Sequence, residues 1–170
     1  MKLSTRDGQF PFATILSCID SRVSAELVFD QGLGDIFSIR IAGNFVNQDI
    51  LGSMEFACKI AGSKLIVVLG HTSCGAIKGA CDDAKMGNLT HLLEKIKPAV
   101  ASVKLPEEPA NRTSKNDQFV DEVAKNNVSL AIDKIRIESP ILKEMEDKGE
   151  IKIVGALYDV HNGRVDFYES

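Results

Sequence analysis

Apolar residues follow two alternating rhythms along this chain. Dense short runs at Phe12 to Ser17, Ile36 to Ile41, Leu65 to Leu69 and Ile151 to Tyr158 are rich in branched and aromatic side chains, the pattern of buried strands. Between them the spacing lengthens to that of amphipathic helices: Ser24 to Phe29, Ile50 to Ala61, Asn88 to Val103, Phe119 to Ile137 and Ile141 to Lys148. Punctuation agrees with these bounds. Ser24 is a candidate cap, Gly62 suits the position after a helix, Pro98 should kink or split its helix, and Ser139-Pro140 reads as Ncap and N1. Residues 104 to 117, with Pro106 and Pro109, read as a long surface connection. Asn162-Gly163 is a hairpin signal that would return Val165 to Tyr168 as a fifth strand beside the fourth.

Strands alternating with helices imply an α/β fold: a mostly parallel sheet of four strands plus a C-terminal edge strand, flanked by helices. At 170 residues the chain is expected to form a single domain over 1–170. Such sheets place their sites beyond the C-terminal ends of the strands. The first and third strands lead there into Cys18-Ile19-Asp20-Ser21-Arg22 and His71-Thr72-Ser73-Cys74.

Two thiols and an imidazole are preferred ligands of zinc, and three protein ligands with one exchangeable position mark a catalytic zinc site. His-x-x-Cys alone is a weak signal, and Asp20 with Arg22 reads equally well as a salt bridge that stabilises a turn. The two pieces together, each after a buried strand, point to one Zn²⁺ on Cys18, His71 and Cys74, with Asp20 or water as the fourth ligand. Close cysteine pairs of the kind that build structural zinc sites are absent. Cys58 falls on a helix and reads as a small buried hydrophobe, and Cys81 reads as packing. An open fourth position would bring the pKa of a bound water to about 7, and a carboxylate held by Arg22 would orient it.

Composition narrows the classes. The net charge is −4 and no basic cluster stands out, which disfavours nucleic acid. No apolar run is long enough to span a bilayer. Four cysteines are too few for a disulfide scaffold at this length. Met1 to Gly8 is short and polar without the apolar region of a signal peptide, so the expected location is cytoplasmic, or periplasmic if a leader has been removed.

Cys-x-Asp-Ser-Arg at 18 to 22, Arg40 with Ala42-Gly43-Asn44, His-x-x-Cys-Gly at 71 to 75 and the stretch Ile153 to Asp159 together resemble the β-class carbonic anhydrases, in order and spacing, from Gly8 onward. The resemblance implies zinc on Cys18, His71 and Cys74, Asp20 and Arg22 as a catalytic dyad, and reversible hydration of CO2 to bicarbonate by zinc-bound hydroxide. By position it also implies substrate contacts at Gln9, Phe37 and Phe56, as in the plant-like members; Gln9 and the Gly75 N–H are the candidate donors to the substrate oxygens. The absence of tryptophan is unlike the bicarbonate-inhibited subgroup, in which Asp closes the zinc as fourth ligand. Family members form homodimers or homotetramers, with an N-terminal arm around the partner and the glutamine beside the neighbour's zinc. Only eight residues precede Gln9, so the arm is expected to be shortened. The alternatives are hydrolysis of CS2 or COS on the same fold, or an inactive zinc- or bicarbonate-binding relative. His91 and His161 are the candidate proton shuttles.

Overall fold

The computed structural model describes residues 5–168. The segment read as a shortened arm therefore lies partly outside the described residues. Five strands form one sheet: β1 (Ala13–Ser17), β2 (Ile36–Arg40), β3 (Leu65–His71), β4 (Lys152–Tyr158) and β5 (Val165–Tyr168), in the order β2-β1-β3-β4-β5. The first four run parallel, and β5 pairs antiparallel with β4. This is the expected fold class.

The helices are α1 (Ala25–Val28), α2 (Gln48–Glu55), α3 (Gly75–Cys81), α4 (Gly87–Glu94), α5 (Lys97–Ser102), α6 (Asp117–Glu138) and α7 (Pro140–Asp147). Several starts are set by side-chain caps. Asn47 accepts from the Ile50 N–H, Asn116 from the Phe119 N–H and Ser139 from the Leu142 N–H. The first two lengthen their helices beyond the apolar periodicity, because polar first-turn residues carry no hydrophobic signal. Ser24 occupies the expected Ncap position but its hydroxyl turns to Glu26 instead of capping the backbone. The helix after α2 continues as a single π turn, Phe56–Ile60, before Gly62 at φ +84 ends it. The expected helix over 88–103 is two, α4 and α5, with Pro98 in the first turn of the second. Within residues 104–117, Pro109–Asn111 forms a 3-10 turn. Arg112 ties that connection down by donating to the Pro106 and Val100 carbonyls while its guanidinium stacks 4.7 Å above the Phe119 ring.

One sheet face carries most of the core. Leu16, Ile66 and Val68 pack there against α2, α6 and α7, and Phe119, Val123 and Leu157 pack with α3, α4 and α5. The 22-residue α6 lies close on β3 and β4 because Gly70 and Gly155 face it. A Cβ at either would stand 2.7 to 2.9 Å from Val128. The opposite face holds a smaller cluster around Ala13, Ile15, Val67 and Leu69, with Val23 and Ala25 against it.

Candidate metal centre and its carboxylate

Parallel register does the first part of the work. β1 and β3 are adjacent, and Ser17 pairs with Leu69, so the residues just beyond both strands leave the sheet at the same level. Cys18 follows β1 directly, and His71 is the last residue of β3. Cys74 is the Ncap residue of α3. The ligand atoms of Cys18, His71 and Cys74 lie within 4.8 Å of one another, and all three residues are buried. They are the three residues that the sequence reading expects around one Zn²⁺, and together they could hold a metal ion.

The chemistry of the group fits a soft divalent metal. His71 Nδ1 donates to the Thr72 carbonyl at 2.9 Å, which fixes the tautomer and leaves a lone pair on Nε2. That Nε2 is fully buried and has no hydrogen-bond partner. A buried acceptor without a partner is costly, and here it faces two sulfurs. The Cys18 and Cys74 sulfurs are 3.9 Å apart. The Cys74 hydrogen bond holds the Cys18 thiol well below the usual thiol range, against the effect of burial. The same hydrogen bond, together with burial, pushes the Cys74 thiol up.

Gly43 completes the sulfur environment. Its N–H points to Cys18 Sγ at 3.4 Å, and its φ of +76 is one that a side chain disfavours. A Cβ there would run into Ile96. Asn127 on α6 holds the same peptide by donating to the Gly43 carbonyl at 2.7 Å. Arg40, from the end of β2, donates to the Cys18 and Asp20 carbonyls at 3.0 and 2.7 Å. Asn127 is a supporting residue that the linear motifs do not reveal, since it is 84 residues from its partner.

Asp20 and Arg22 form a two-pronged pair. Arg22 Nε donates to Oδ1 at 2.9 Å and Nη2 to Oδ2 at 2.7 Å, and the Arg22 N–H adds a third bond to Oδ1 at 2.9 Å. The Arg22 side chain is the main reason that the Asp20 carboxyl is held far below the ordinary carboxylate range. Asp20 Oδ2 is 3.9 Å from His71 Nε2, so the carboxylate borders the thiol–imidazole group. The pair is the turn-stabilising salt bridge that the sequence suggests, and it lies beside the thiol–imidazole group.

The other candidate residues are placed differently. Gly75 is exposed at the first position of α3, next to Cys74. Phe37 and Phe56 meet each other edge to face, with ring centroids 6.3 Å apart, over a surface groove shared with Gln48 and Ser53. Phe37 pairs with Thr14, four residues before Cys18, which at 3.3 Å per residue is roughly 13 Å along the sheet. Gln9 is exposed in the segment that leads into β1, at the strand end opposite Cys18. The structure of one chain therefore does not bring Gln9, Phe37 or Phe56 to its own thiol–imidazole group. Cys58 is buried, and burial pushes its thiol up to about 11. Cys81, half-buried at the end of α3, is likewise raised by burial to about 11.

Comparisons with known proteins converge on one family. A family model described as carbonic anhydrase matches residues 13–165. Carbonic anhydrase 2 of Mycobacterium tuberculosis is 36% identical over 164 residues, covering 92% of this chain and 74% of that protein. A carbonic anhydrase of Mycolicibacterium smegmatis is 35% identical, covering 97% of this chain and 78% of its own. Among solved structures, the β-carbonic anhydrase CcaA superposes with a TM-score of 0.83 at 23% identity, over 99% of this chain and 92% of that one. A structure described as one of two tetrameric β-carbonic anhydrases from Sordaria macrospora gives 0.81 at 24% identity, over 96% and 83%. Matched along nearly its whole length, the chain belongs to the carbonic anhydrase family, in its β class.

Proposed function

We propose that this carbonic anhydrase works as a zinc enzyme, with one ion per chain held by Cys18, His71 and Cys74 and with Asp20 and Arg22 as the acting pair beside it. The observation that carries the reading is the buried, unpartnered His71 Nε2 within 4.8 Å of two buried sulfurs. When bound, zinc supplies a Lewis acid that brings the pKa of a coordinated water to about 7 and so makes a nucleophile available at neutral pH. The remaining work falls to the chain. Two thiolates balance the ion's charge, and the Thr72 carbonyl keeps the imidazole in its liganding tautomer. Asp20, clamped by three bonds from Arg22, accepts a hydrogen bond from the attacking water and aims its lone pair at the carbon of CO2. The Gly75 N–H, at the start of α3, is the donor to the oxygen that gains charge as bicarbonate forms.

We also infer that the active unit is a homodimer or a higher homo-oligomer. Gln9, Phe37 and Phe56 lie away from the metal ligands of their own chain, so substrate contacts from them require a second copy. The tetrameric description of the Sordaria relatives supports the same reading. Stopped-flow CO2 hydration tests the proposal. Zinc-loaded protein should turn over, chelation should abolish turnover and added zinc should restore it. Undiminished hydration by metal-free protein would overturn it.

A further inference from the structure

We propose that His161, acting through the hydroxyl of Ser73, carries the proton of each turnover from the reaction site to solvent. The inference rests on the zinc-dependent hydration just proposed. Joining water to CO2 forms one carbon–oxygen bond and leaves bicarbonate and one proton, so every cycle must discharge a proton before the next water can be used.

Ser73 is the junction. Its φ of +53 lies in the left-handed region, which a side chain disfavours unless the surroundings hold it there. Three separate elements do so. The Ser73 N–H donates to Asp121 Oδ1 on α6 at 3.0 Å, and its carbonyl accepts from Arg22 Nη2 at 3.4 Å. Its Oγ lies 3.3 Å from His161 Nε2, in the turn between β4 and β5. The same Arg22 Nη2 that reaches the Ser73 carbonyl also grips Asp20 Oδ2, so the acting pair and the histidine meet at one residue.

The turn that carries His161 is itself fixed to the end of β3. Asp159 Oδ1 accepts from the His161 N–H at 2.8 Å and from Thr72 Oγ1 at 3.4 Å, and the Val160 N–H donates to Thr72 Oγ1 at 3.1 Å. The histidine is nonetheless exposed. The charged groups around this contact are Asp121 on the Ser73 N–H, Arg22 on the Ser73 carbonyl and Asp159 on the His161 N–H. An imidazole ring can take up a proton on one nitrogen and release one from the other. Ser73 Oγ–H donates to Nε2 and Oγ takes up a proton from water in the site. The imidazolium then releases its Nδ1 proton to buffer. Among the described residues, no hydrogen bond ties His91, the other candidate, to this network.

The test compares zinc-loaded wild type, His161→Ala and His161→Gln by stopped-flow hydration in dilute buffer, with zinc content measured in each. Glutamine keeps a hydrogen bond to Ser73 but cannot carry a proton. Both variants should lose kcat on the order of tenfold, less than the usual range for general acid–base catalysis because solvent water competes for the proton. Their kcat/KM should match wild type, and added imidazole should restore kcat in His161→Ala. Wild-type kcat in both variants, loss of kcat/KM without imidazole rescue, or loss of zinc from both would overturn the role of His161 while leaving the zinc mechanism standing. A zinc-loaded wild type without turnover would overturn both.

Discussion

The thiol–imidazole group, read from its own residue chemistry, and the Phe37–Phe56 pair, implied only by the resemblance, end in opposite situations. Cys18, His71 and Cys74 are 3%, 0% and 1% exposed and converge within a single chain. Phe56 is 51% exposed, and its partner Phe37 sits near the other end of the sheet, on edge strand β2. The first group is determined by parallel register inside one fold, whereas the second lines an exposed surface groove that becomes a substrate pocket only in the proposed oligomer. Metal binding and substrate capture should therefore be separable by mutation.

The largest expected effect is at the metal. Cys74→Ala removes one of the three proposed ligands and should cost zinc occupancy together with about 10³-fold or more in hydration rate, as bound water returns toward its ordinary pKa. Phe56→Ala should keep full zinc and lose only about tenfold in kcat/KM, the low end of what pocket contacts contribute. Elemental analysis beside stopped-flow rates reads both, and zinc loss in Phe56→Ala would erase the distinction. Between these extremes falls Arg22→Gln. It releases Asp20 from its clamp and should cost about 10- to 100-fold in activity, the range for groups that orient a metal site. The loss should appear in kcat/KM at neutral pH.

The smallest effects belong to the scaffold. Asn47→Ala removes the α2 cap and should cost about 1 kcal/mol in denaturant unfolding, with no change in zinc. Cys58 gives a pH signature of folding. Its buried thiol is raised to about 11 and keeps its proton in the folded state, whereas the unfolded chain releases it from about pH 8.5. The unfolded state then binds fewer protons, so this contribution is present below that pH and is lost as pH rises to about 11. Cys58→Val should flatten the alkaline limb of the stability curve.

Much of this was legible in the chain because burial and chemistry point the same way at the centre. Cys18 and His71 end apolar runs whose parallel pairing follows from the alternation of strands and helices, so their meeting was predictable. Helix starts at Gln48 and Asp117 were less visible, since capping by Asn47 and Asn116 is a polar, local event. The split of the helix over 88–103, by contrast, follows the expectation from Pro98, with Lys95 and Ile96 turning just ahead of it. Asn127, holding Gly43 from the middle of α6, and Ser73, held by three elements at once, could not be read from spacing. Their roles depend on partners 48 to 88 residues away.

Zinc stoichiometry measured on purified protein and on its His71→Ala variant, both dialysed against a weak chelator, tests the central claim most directly. The account predicts one zinc per chain in wild type and a large loss in the variant. Wild-type protein that retains no zinc after zinc loading, or a variant that keeps a full equivalent, would contradict it.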